Sequence, residues 1–183
     1  MPVYHHREKL LNAIIYFANH TKYCGKTKLY KLLYYFDFNH FKETGRSVTE
    51  LEYYAWDYGP APSQLHNELQ NPPQDIRDHI TLIGMADSFQ GVKAKKHFDR
   101  KHFTKREMRL LEQIAQIFRD AKAEDMVEAS HEDDKPWDIT KKTKGMYKPI
   151  DYLLALDNSA KSITLEEAKE HIKDRTQLES AFK

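Results

Sequence analysis

The segment from Lys26 to Lys42 constrains the fold more than any other. Written as a helix, it places Leu29, Leu32, Leu33, Phe36 and His40 on one face. Tyr30, Tyr34, Tyr35 and Phe38 then widen the apolar arc to most of the circumference. A helix apolar almost all round holds its place only when other elements wrap it, so this one is expected at the centre of a domain. Gly45 is its stop. With 183 residues, the chain is long enough to bury a sizeable core around such a helix.

The rest of the chain supplies the wrapping. A first helix is expected over about His6 to His20, with Leu10, Leu11, Ile14, Phe17 and Ala18 at helical spacing. Ser47-Val48-Thr49-Glu50 has the letters of a capping box, but the residues that follow, Leu51 to Trp56, carry no helical stripe. They read as a short strand leading to a turn at Gly59-Pro60. A polar helix over roughly Pro62 to Gln70 ends before Pro72-Pro73. Ile80 to Ile83 and Ser88 to Lys96 read as short strands, with Gly84 and Gly91 as turn points. Thr104 to Glu107 is a better capping box, because Leu110, Leu111, Ile114, Ile117 and Phe118 follow at helical spacing, to about Asp120. A short helix over about Glu124 to Ser130 precedes a loop-rich stretch around Pro136-Trp137 and Gly145. Another runs from Pro149 through Leu156, and Thr164 caps a final helix, polar on most faces. The fold class is mainly α (α+β): a compact helical domain around a buried central helix with a small β element.

The chemistry-bearing residues do not assemble into a catalytic motif. Gly25-Lys26-Thr27 has the ending of a phosphate-binding loop, but the loop's first glycine would fall at His20. None of the 10 histidines sits in His-Glu-x-x-His spacing, and a single cysteine leaves no Cys-x-x-Cys. Cys24 stands before a helix, where the dipole can activate a thiol, yet no base or oxyanion donor accompanies it in the sequence. The expectation is a non-enzyme with no cofactor and no metal. One cysteine excludes an internal disulfide, and Met1 to Arg7 has no apolar stretch of a signal peptide. No apolar run approaches the ~20 residues that span a bilayer. The expected setting is the cytoplasm, with no membrane partner.

Formal net charge is +1, so no global field selects a partner, but charge is uneven locally. Lys93 to Arg106 holds seven Lys and Arg against Asp99, with Phe98 and Phe103 between them. That pattern can grip a single-stranded nucleic acid, and a solvated loop and helix start is the plainer reading. Glu124 to Asp134 holds six acidic residues and no Lys or Arg, a patch suited to a basic protein. Tyr53, Tyr54, Trp56 and Tyr58 form an aromatic strip. If extended, Tyr54, Trp56 and Tyr58 face one way and Tyr53 the other. Aromatic side chains are favoured interface anchors.

Lys28-Leu29-x-Lys31-Leu32-Leu33-Tyr34, then Gly45, then Ala55-x-x-Tyr58-Gly59-Pro60, resembles the hallmark of the Panacea domain family, which includes phage-associated GepA-like proteins and SocA-like antitoxins. Ser130-His131 and the nearby Trp137 are similar to the family's downstream histidine and tryptophan. The likeness covers about Leu10 to Leu156. Ala61 and Pro62 depart from the family's usual residues after Gly-Pro. The resemblance implies an antitoxin that neutralises a small protein toxin by direct binding, with no catalytic set. An adaptor delivering a partner to a protease and a nucleic-acid-binding regulator working through 93-106 are the alternatives. The partner-binding residues expected are Tyr54, Trp56 and Tyr58 with the acidic Glu124, Glu128, Glu132 and Asp133. Residues 1-183 are expected to form one domain, with 70-103 as a family-variable insertion and 157-183 as a C-terminal helical extension.

Overall fold

The computed structural model describes residues 4–84 and 90–181. It is mainly helical, with eight α-helices and two small two-stranded antiparallel sheets among those residues. The helix α2 (Lys26–Thr44) is central, as its composition requires. Leu29, Leu32, Leu33 and Phe36 are wholly buried, each contributing roughly 1.5–3 kcal/mol by leaving water. The helices α1 (His6–His20), α5 (Lys105–Ile117) and α6 (Ala123–Ser130) pack on it, with the strand β2 (Gly59–Pro62) and a 3₁₀ turn (Tyr152–Ala155). The helix α2 ends at Gly45, whose φ of +71° closes the last turn. A Cβ there would come within 2.9 Å of His171 Nδ1, so the position admits only glycine without displacing the C-terminal helix.

The interior of α2 also carries a carboxylate. Asp37 is fully buried and accepts four hydrogen bonds: from the Val48 and Thr49 amides, both at 2.8 Å, and from the Thr49 and Tyr53 hydroxyls at 2.5 and 2.7 Å. This is why the capping letters at Ser47 to Glu50 start no helix. The Thr49 hydroxyl is committed to Asp37, and Glu50 takes a left-handed φ of 59°.

The strand β1 (Tyr53–Trp56) pairs antiparallel with β2, Tyr53 opposite Pro62 and Trp56 opposite Gly59. The chain therefore turns at Asp57 and Tyr58. The turn expected at Gly59-Pro60 is instead the start of a strand. Two prolines are tolerated in β2 because of what β1 does with its other edge. Ala55 donates to the Lys148 carbonyl and accepts from the Tyr147 amide, and Tyr53 accepts from the Ile150 amide. Positions 60 and 62 thus face residues whose backbone groups point away from β2, where a missing N–H costs nothing.

The polar helix after the hairpin is α3 (Ser63–Gln70), and a short helix α4 (Gln74–His79) follows that the sequence pattern did not indicate. Strands β3 (Ile80–Gly84) and β4 (Gln90–Ala94) pair antiparallel where strands were expected. Ser88 lies outside the described residues. The capping box at α5 is real: the Thr104 amide donates to Glu107 Oε2 at 2.7 Å and the Glu107 amide to Thr104 Oγ1 at 3.2 Å. The stretch read as loop around Pro136-Trp137 is a helix, α7 (Pro136–Lys144), opened by proline in its first turn. The final helix α8 (Leu165–Ala181) buries Ala168 alone. It is held by His171 Nδ1 at 2.9 Å from the Thr44 carbonyl and by an Arg175–Glu50 ion pair.

Candidate partner-binding site

The two lysines of the α2 motif are both buried, and they differ in what they find. Lys28 donates to three carbonyls, of Lys22 at 2.7 Å, Arg119 at 3.3 Å and Ala121 at 2.5 Å. Every ammonium proton is used, and the lysine pins the α1–α2 and α5–α6 connections together. Lys31 donates to a single carbonyl, that of Pro60, at 2.8 Å. It is 1% exposed, and burial pushes its pKa down to about 7.

Gly59 is pressed against Lys31. With φ of +90°, a Cβ there would meet Lys31 Cε at 2.9 Å, Nζ at 3.0 Å and Ser130 Oγ at 2.4 Å. The hairpin turn therefore rests on α2 and on the end of α6. From behind, Trp137 donates its indole N–H to the Trp56 carbonyl, and His131 stacks on the Trp137 ring at 3.7 Å. Lys31, Ser130 and Trp137 thus support the hairpin, which comes close to them at Gly59, while Lys28 of the same motif holds the loops on either side.

Burial alternates along β1, and Tyr58 lies beyond the strand in the turn. Tyr53 is buried; Tyr54 and Trp56 are half-buried on the opposite face of β1; Tyr58, in the turn, is 73% exposed. Trp56 and Tyr58 share a cleft of about 340 Å³ with Tyr30, Lys31, His66 and Ala123. Tyr54 lies outside that cleft and hydrogen-bonds to Glu52. No pattern in the sequence marks Tyr147. It is 58% exposed, and its hydroxyl donates to Asp57 at 2.6 Å, beside Tyr58.

The acidic residues Glu124, Glu128, Glu132 and Asp133 are all exposed on α6 and the turn after it. The helix α6 begins at the cleft, through Ala123, and ends against Gly59, through Ser130. Glu132 continues into a groove of about 400 Å³ floored by Tyr34, Tyr35 and Phe118. Burial, and next Glu132, hold the Tyr35 hydroxyl up at about 12. The aromatic and acidic candidates, distant in sequence, thus lie along adjoining elements.

The basic segment is arranged differently. Phe98 and Phe103 pack on each other at 5.7 Å, and Phe98 packs edge-on to Tyr16, both partly buried against the core. That packing takes up part of the ring surface on which a base would stack. Arg106 pairs with Glu43, and Lys95 donates to the Arg77 carbonyl. Cys24 is buried, and burial raises its thiol to about 11, the opposite of activation. Among the described residues, no His, Cys, Asp or Glu cluster is placed to hold a metal ion, and no helix is long and apolar enough to cross a membrane.

The family described as antitoxin SocA-like, Panacea domain, matches residues 29–138, more than half of the chain. The match takes in α2 from Leu29 onward, the hairpin, the acidic helix and Trp137. No curated protein and no solved structure matches the chain.

Proposed function

The chain belongs to the SocA-like antitoxin, Panacea domain, family, and on that premise we propose that it is the antitoxin of a toxin–antitoxin pair, neutralising a small protein toxin by direct binding. The family match carries the reading. The site gives it a shape. Tyr54, Trp56 and Tyr58 on the hairpin, with Glu124, Glu128, Glu132 and Asp133 along α6, would form the contact surface. Rigid aromatic anchors supply affinity at low entropic cost, while the acidic row sets orientation. Neutralisation is occlusion, and it uses no catalytic group of this chain. Residues 70–103 and 157–183 are read as additions to one domain. The family match ends before the second of them, which buries one alanine of α8.

The test is co-expression. The small open reading frame beside this chain's own should arrest growth when induced alone, and this chain should restore it. A harmless neighbour, or no rescue, removes the reading. A rescue that disappears when the host protease is deleted would assign the adaptor role instead.

A further inference from the structure

The cleft beside the hairpin is lined by basic side chains with no acidic residue among them. Its lining includes Lys26, Lys28, Lys31 and His66. The first turn of α2 opens into it from Gly25, an N-cap without a side chain, so the helix adds its positive end. Lys31 has one protein acceptor, which leaves two of its three N–H bonds without one among the described residues. Lys28, three residues away and equally buried, satisfies all three on carbonyls. Burial alone therefore does not account for the shortfall at Lys31. A buried ammonium without a counter-charge weakens a fold unless something else uses it. Trp56, Tyr58 and Tyr30 wall the same space with apolar rings.

We propose that this cleft receives an aspartate or glutamate side chain of the toxin, its stem between Trp56 and Tyr58 and its carboxylate on Lys31. The inference rests on the antitoxin reading and adds the chemistry of one contact to it. The neighbouring acidic helix would take basic residues of the same toxin. Two adjoining contacts of opposite sign admit one register and reject its reverse.

Lys31→Met tests it, because methionine keeps the length of the stem and removes the charge. At pH 7 or below, the free variant should be at least as stable as the wild type in urea. Its toxin affinity should fall at least tenfold, and alanine at one toxin Asp or Glu should cost no more in the variant background. A purely structural Lys31 predicts the reverse: a destabilised chain and no such coupling. A second measurement needs no variant. Carbodiimide joins a lysine amine directly to a carboxylate in contact with it. In the wild-type complex, mass spectrometry should find Lys31 joined to a toxin Asp or Glu. Cross-links confined to other lysines, or wild-type affinity in Lys31→Met, overturn the inference and leave the antitoxin reading standing. A wild-type chain that binds no toxin removes both.

Discussion

Trp137 donates its indole N–H to the carbonyl of Trp56 across 2.9 Å, joining α7 to the first strand of the hairpin. The bond fixes the hairpin from the side away from solvent. Trp137→Phe keeps an aromatic ring for His131 and leaves the Trp56 carbonyl without that partner. Stability should fall by about 1–2 kcal/mol in urea denaturation. Amide exchange should quicken first in 53–62. Uniform quickening throughout the chain would mean that the bond has no local role.

Gly59→Ala carries a heavier cost, because strain and collision coincide. The position requires φ of +90°, and the new methyl would meet Lys31 and Ser130. A loss of about 2–3 kcal/mol is expected. Since Ser130 belongs to α6, the damage should reach that helix as well. Chemical denaturation with exchange mapping reads both.

Asp37 organises the core by accepting rather than by packing. Asp37→Ala leaves the Val48 and Thr49 amides and the Tyr53 hydroxyl buried without that acceptor. Each orphaned group costs about 1–3 kcal/mol, so the variant should be among the least stable single substitutions in the chain. A melting temperature within a few degrees of wild type would contradict that role.

Lys31 makes stability depend on pH in a direction its chemistry fixes. Its pKa is about 7 in the folded chain against 10.5 in a free lysine. Between those values the unfolded chain holds the proton and the folded chain does not, so stability rises with pH across the window. Below pH 7 both states are protonated and the burial penalty is complete. Cys24 acts oppositely above pH 9, because its folded thiol resists ionisation up to about 11. The comparison is therefore cleanest from pH 7 to 9. Over that range the wild type should gain about 2 kcal/mol relative to Lys31→Met.

Much of this fold is legible in the sequence. The helix α2 is unmistakable because its apolar arc leaves it no other place, and the first part of the family motif lies on it. The box at Thr104 is legible because a stripe follows it, and the letters at Ser47 mislead no one because none does. The helix α7 is hidden for a physical reason: its buried face includes Asp138 and Thr140, made tolerable by bonds to the Asp134 amide and the Pro136 carbonyl. No hydrophobic period marks such a face. The candidate residues are readable one by one, but the cleft is not. It draws on residues 26, 31, 56, 58, 66 and 123, which only the completed fold brings together. The contrast between Lys28 and Lys31 is equally invisible, since the carbonyls that serve Lys28 come from Lys22, Arg119 and Ala121.

Tyr58 offers the most direct test of toxin capture by the hairpin. At 73% exposure its ring supports little of the fold, so Tyr58→Ala should melt as the wild type does. Isothermal titration of the purified toxin into each chain should show tight binding by the wild type and at least tenfold weaker binding by Tyr58→Ala, the loss expected of an interface anchor. Equal affinities in the two chains, or no heat of binding from the wild type, would contradict the account.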